Sequence, residues 1–124
     1  MLMYEELSRE IIASAIEVHR ELGPGLLESA YEICLCYERN SRKIPFQRQI
    51  EVPVLYKGVR LDCGYQIDLL VDSKIILELK SVETLHSVHE AQLLTYLKLL
   101  DKRVGMLMNF NVPVMKDGII RRIR

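Results

Sequence analysis

The stretch from Ile67-Asp-Leu-Leu-Val71 through Asp72-Ser-Lys74 to Ile75-Ile-Leu-Glu78-Leu-Lys80 constrains this chain more than any other. Two short apolar runs separated by a turn-forming tripeptide predict a hairpin of buried strands. Charged side chains interrupt both runs. Glu78 and Lys80 occupy alternate positions and therefore share a face. A three-residue turn sets Val71 across from Ile75 and Asp68 across from Glu78, whereas a two-residue turn makes the acids diagonal neighbours. In either register the two carboxylates lie about 5–8 Å apart. Like charges so placed destabilise a sheet unless a cation stands between them. That cation could be Lys80, in an ordinary solvated cluster. It could also be a divalent ion, since Mg²⁺ is held by one or two carboxylates with water and phosphate. The pattern alone leaves both open.

The rest of the chain predicts a frame for this hairpin. Leu7, Ile11, Ala15, Val18 and Leu22 paint one stripe of a first helix from Tyr4 to Leu22, and Gly23-Pro24 stops it. A second helix is expected from about Leu26 to Asn40, with Gly25 as its N-cap and Glu28 as a first-turn acid. From Phe46 the period becomes two: Gln47, Gln49 and Glu51 alternate with Arg48, Ile50 and Val52 in a half-exposed strand. Pro53 marks an edge or an irregularity, and Lys57-Gly58 a hairpin turn. Ser87-Val-His-Glu90 has the form of a capping box opening a third helix to about Leu100. Val104 to Phe110 reads as another strand, and Asp117-Gly118 opens a final hairpin. The expectation is one α/β domain over residues 1–124, in the order ααβββαβ, with a mixed sheet of about four to five strands flanked by helices.

Composition narrows the function classes. With 17 Lys+Arg against 17 Asp+Glu the net charge is zero, so no basic excess announces a nucleic-acid binder. An apolar content of 49% excludes a disordered chain. No apolar run approaches the roughly 20 residues of a membrane span. The N-terminus lacks a secretory layout, and three cysteines do not make a disulfide framework, so a reducing, cytoplasmic setting is expected. Cys34, Cys36 and Cys63 are read as buried or half-buried thiols. His19 is read as a packed, hydrogen-bonded histidine. Arg121, Arg122 and Arg124 form a basic tail, read as solvated, and His86 and His89 have i, i+3 spacing. On the third helix Gln92 and Tyr96 stand one turn apart, in line with His89.

Four motifs then combine. Gly25-Leu-Leu-Glu28-Ser-Ala-Tyr31 resembles the pattern of the small GxxExxY family. Asp68 followed by Glu78-Leu-Lys80 resembles the core of the PD-(D/E)XK nuclease superfamily, with Ile67 where the name has proline. Gln92-Leu-Leu-Thr-Tyr96 resembles the Q-x-x-x-Y motif of the RecB-like branch. The resemblance runs from about Ile11 to Val114 and implies a restriction-endonuclease-like core. It implies a nuclease using Mg²⁺ or Mn²⁺ and acting on DNA, with RNA as a second substrate class. Asp68, Glu78 and Glu28 would be the metal residues, Lys80 would orient or deprotonate water, and Gln92 would fix substrate or Lys80. Tyr96, His89 and Tyr31 would bind substrate or support the site. A homodimer or a partner subunit is a further expectation, because so short a chain offers little surface for gripping a duplex. The alternative is a catalytically silent module of the same fold that binds nucleic acid or a protein.

Overall fold

The computed structural model describes residues 3–124. The elements are α1 (Glu5–Leu22), α2 (Glu28–Ser41), β1 (Phe46–Tyr56), β2 (Val59–Val71), β3 (Ile75–Lys80), α3 (Ser87–Leu99), β4 (Val104–Asn109), a 3₁₀ turn (Met115–Gly118) and β5 (Ile119–Ile123). They build a five-stranded sheet in the order β1-β2-β3-β4-β5. All neighbours are antiparallel except β3 and β4, which run parallel with α3 as the crossover between them. The fifth strand extends the expected order ααβββαβ by one element, within the expected four to five strands, and it is entered through the 3₁₀ turn where a hairpin was expected.

Alternation in β3 and β4 divides the core into two layers. Ile75, Leu77, Leu79, Met106 and Met108 pack against Ile11, Ala15 and Val18 of α1 and Tyr31 and Leu35 of α2. Ile76 and Leu107 face the opposite way and pack against Leu93, Tyr96 and Leu97 of α3. Of the predicted α1 stripe, Ile11, Ala15 and Val18 are buried and Leu7 is half-buried, while Leu22 at its end is exposed. Gly23 takes a φ of 69° and its amide donates to the His19 carbonyl, the left-handed stop that glycine permits. The α2 start differs from expectation. Gly25 has a φ of 99° and lies in the connecting turn, while Leu27 is the N-cap and Glu28 the first helical residue.

The β2–β3 turn holds three residues, Asp72-Ser73-Lys74, and Val71 pairs with Ile75. Pro53 falls at a register shift in β1, the sheet's edge strand, so both readings of that proline hold. The single face expected for Arg48, Ile50 and Val52 does not form. Phe46 packs on the α1/α2 side and Arg48 reaches Glu32 of α2, yet Ile50 and Val52 pack beneath α3. Across the rungs, Leu69 and Val71 lie on the α1/α2 side, whereas Ile67 joins Leu70 on the α3 side. Both strands therefore change phase at one rung, the Gln49–Asp68 position between Arg48↔Leu69 and Ile50↔Ile67. Gln49 reverses its chain there by adopting a φ of 49°.

The basic tail also departs from the solvated reading, because β5 pairs with β4. Arg121 donates to Ser8 and to the Met3 carbonyl, Arg122 pairs with Glu90, and Arg124 with Asp101. No helix among the described residues is long and apolar enough to cross a membrane.

Candidate active site

The β2–β3 ladder runs through Val71↔Ile75, Leu70↔Ile76 and Leu69↔Leu77, so the next rung sets Asp68 opposite Glu78. At that rung side chains replace the backbone ladder. The Asp68 amide donates to Glu78 Oε1 at 3.1 Å, and the Leu79 amide donates to Asp68 Oδ2 at 2.7 Å. Each acid thus bonds to backbone at or beside the other's position, and the strands part with both carboxylates in the gap. Neither remaining oxygen, Asp68 Oδ1 or Glu78 Oε2, receives a protein donor among the described residues.

Electrostatics at this rung are unfavourable to two charges. Burial pushes the Glu78 carboxyl up to about 8, and the neighbouring Asp68 charge adds to the shift. The bond from the Asp68 amide and the charge of Lys80 only partly offset it. Burial likewise raises Asp68; the Leu79 amide opposes that, and Glu32 and Glu28 reinforce it. Glu78 is 7% exposed. A buried, like-charged pair of this kind favours a bound proton or a bound cation.

Glu28 reaches the same end of the sheet from α2. Its Oε2 accepts from the Ser81 amide at 3.2 Å, directly after Lys80, and the Ser81 hydroxyl donates to the Leu26 carbonyl at 2.6 Å. The turn before Glu28 is fixed from below. The Tyr31 hydroxyl donates to the Gly23 carbonyl at 2.7 Å and accepts from the Leu26 amide at 3.1 Å. Its ring stacks on Phe110 with centroids 4.4 Å apart. Tyr31 is wholly buried, with its hydroxyl spent on these two backbone bonds.

From the other layer α3 presents His89, Gln92 and Tyr96. The expected Ser87–Glu90 capping box is absent, because the helix starts one residue earlier than that box requires. His86 is the N-cap, its amide donates to His89 Nδ1 at 3.1 Å, and Glu90 pairs instead with Arg122. His89 is depressed by partial burial and by the charges of Lys80 and His86, while Glu28 acts in the opposite sense. The Tyr96 hydroxyl is pushed up to about 12 by burial and by Glu78, Tyr65 and Asp68. A cavity of about 300 Å³ opens beside it, lined by Val54, Tyr65, Gln92, Thr95, Tyr96 and Leu99. The charges of Asp68, Glu78, Lys80 and Glu28 thus act on one another or on His89 and Tyr96, while Gln92 lines the cavity beside Tyr96.

Other expectations resolve differently. Cys36 is buried and Cys34 half-buried, but Cys63 is exposed on the outer part of β2. His19 is packed as expected, with Nε2 2.7 Å from the Val112 carbonyl. The pattern reading missed Glu32, one turn beyond Glu28 on α2. It is buried and accepts from Arg48 Nη2 at 2.7 Å, Arg48 Nε at 3.1 Å and Gln49 Nε2 at 2.7 Å. The i, i+4 spacing from Glu28 was the available signal. Asn109 was missed as well. It is buried at the end of β4, and its amide ties the chain after Lys80 through both polar groups of Val82.

No group of three His, Cys, Asp or Glu side chains among the described residues gathers closely enough to hold a metal by itself. Glu28 accordingly stands apart from the Asp68–Glu78 pair. The donor set that remains is two carboxylate oxygens beside backbone, which suits a hard cation that keeps water and phosphate among its ligands and does not suit a closed structural zinc site.

Fold and site together define a restriction-endonuclease-like α/β protein whose polar centre lies where the parted hairpin meets the N-terminal ends of α2 and α3. The sequence profile of the PD-(D/E)XK nuclease superfamily matches residues 5–123, and the chain belongs to that superfamily. No curated protein and no solved structure gives a significant match.

Proposed function

We propose that this protein is a divalent-metal-dependent nuclease that hydrolyses phosphodiester bonds in DNA. The observation that carries the reading is the parted rung itself. Two carboxylates are held in one gap by backbone amides of the facing strand, with an oxygen of each left free among the described residues and a lysine two residues along β3. Such a pair is costly without a cation and well matched to one. Asp68 and Glu78 would hold Mg²⁺ or Mn²⁺, with Glu28 contributing through water from its place beside Ser81. A divalent ion there supplies an acidified water and positive charge at the scissile phosphate. Lys80 would orient the attacking water or help deprotonate it and would offset charge on the scissile phosphate; an always-charged, planar guanidinium could not serve as that compact, titratable cation. Gln92 holds the substrate strand, with Tyr96 packed behind it and His89 at the rim.

Within the superfamily we assign the chain to the GxxExxY proteins of the RecB-like branch. The support is Gly25, Glu28 and Tyr31 at one end of the site and Gln92 with Tyr96 at the other. The test is incubation of linear, circular and single-stranded DNA with and without Mg²⁺, beside Lys80→Ala. Cleavage that needs the metal and drops at least ~100-fold in the variant is expected. Retained DNA binding without cleavage by the wild type would instead support the silent binding module.

A further inference from the structure

A strand reverses its inside–outside alternation only if a residue departs from extended backbone, and here two paired strands reverse at one rung. On β1 the departure is Gln49, with a φ of 49° in the body of a strand. That conformation costs a non-glycine residue roughly 1–2 kcal/mol, so something must hold it. The holder is on another element. Glu32 of α2 is buried, accepts the Gln49 side-chain amide on one oxygen and takes two bonds from the Arg48 guanidinium on the other. With three donors already satisfied, Glu32 is an anchor and not a ligand awaiting a cation.

The residue facing Gln49 across the rung is Asp68. Continued alternation from Leu69 and Leu70 would turn Asp68 toward the α3 face and Ile67 toward the α1/α2 face. Ile67 instead packs beneath α3, and the Asp68 carboxylate swings into the gap to meet the Leu79 amide. We propose that Glu32, Arg48 and Gln49 form a positioning cluster for Asp68, holding β1 in the reversed geometry that sends this carboxylate between β2 and β3. The three do not touch substrate; they act through Asp68.

The meaning of this cluster for cleavage rests on the nuclease reading above, but its geometry is tested without any activity. The Leu79 amide reports directly on the Asp68 carboxylate. Hydrogen exchange followed by NMR is compared in the wild type, Gln49→Val, whose branched side chain resists positive φ, and Glu32→Ala, which removes the anchor. Protection at Leu79 is expected to fall about tenfold or more relative to the Ile75, Ile76 and Leu77 amides of the same strand. The same variants are expected to need about tenfold more Mg²⁺ for half-maximal cleavage, in keeping with effects on residues that orient metal ligands. Leu79 protection unchanged, or falling only in step with the rest of β3, overturns the proposal. If Gln49→Val does not fold, Glu32→Ala and Gln49→Gly, which tolerates the backbone and loses only the tether, decide it. A wild type that cleaves nothing defeats the nuclease reading while leaving the Leu79 result to judge the cluster.

Discussion

Replacing Glu78 with glutamine should make the protein more stable and destroy its activity at the same time. Glu78 carries its carboxyl at about 8 where the ordinary value is 4.5, because it is buried beside Asp68. Holding the charged form against that shift corresponds to at most about 5 kcal/mol. A group with a raised folded pKa contributes its full share of stability below the unfolded value and loses it as pH climbs through the folded one. The wild type without metal should therefore weaken steadily between about pH 4.5 and pH 8. In the Glu78→Gln variant the side chain has no charge to bury, and its amide oxygen can still accept from the Asp68 backbone. At pH 5 the two proteins should melt together. At pH 9, with chelator present, Glu78→Gln should gain about 2 kcal/mol or more, which is roughly 6–10 °C in Tm for a domain of this size. Excess Mg²⁺ should raise the wild-type Tm and leave the variant unmoved, since only a ligand of the native state stabilises it. Thermal melts across pH, with and without metal, measure all of this. A difference between the two proteins that does not vary with pH, or a variant less stable at pH 9, would refute the reasoning.

Three further substitutions probe the frame around the site. Tyr31→Phe removes the bonds to the Gly23 carbonyl and the Leu26 amide and should cost about 1–3 kcal/mol, read from the urea midpoint at an unchanged m-value. Arg39 is fully buried, with Nε and Nη1 unpartnered among the described residues and its pKa lowered to about 10 by burial. Arg39→Met should therefore raise the unfolding free energy by about 1–3 kcal/mol, and a loss in the same melt would show the guanidinium to be needed. At Gly118 an added Cβ would stand 2.1 Å from the Asn109 carbonyl oxygen, so Gly118→Ala should cost about 2–3 kcal/mol by urea titration.

Much of the fold was legible because its periods are clean. Ile11, Ala15 and Val18 announce α1, and the Asp72-Ser-Lys74 turn with its apolar flanks fixes the register that sets Asp68 opposite Glu78. Glu28, Lys80, Gln92 and Tyr96 were legible as motif residues. What escaped was carried by contacts between distant segments. The phase change at Gln49 depends on Glu32, seventeen residues earlier, so a strict alternation reading of β1 misdirects Arg48. The N-cap of α3 is His86 where the pattern points to Ser87, because His89 answers the His86 amide and Glu90 turns to Arg122 on β5. The tail reads as solvated only until its partners Ser8, Glu90 and Asp101 are known. Cys63 is exposed because the outer β1–β2 hairpin extends past the covering helices, a matter of strand length that local hydropathy does not encode.

A cation should belong between the two acids of the parted rung, Asp68 and Glu78. Calorimetric titration of Mn²⁺ into the wild type and into Asp68→Asn, in the presence of a short oligonucleotide, tests it most directly. A saturable heat is expected in the wild type, vanishing in the variant while its far-ultraviolet circular dichroism is kept. Equal heats from both proteins, or none from the wild type, would contradict it.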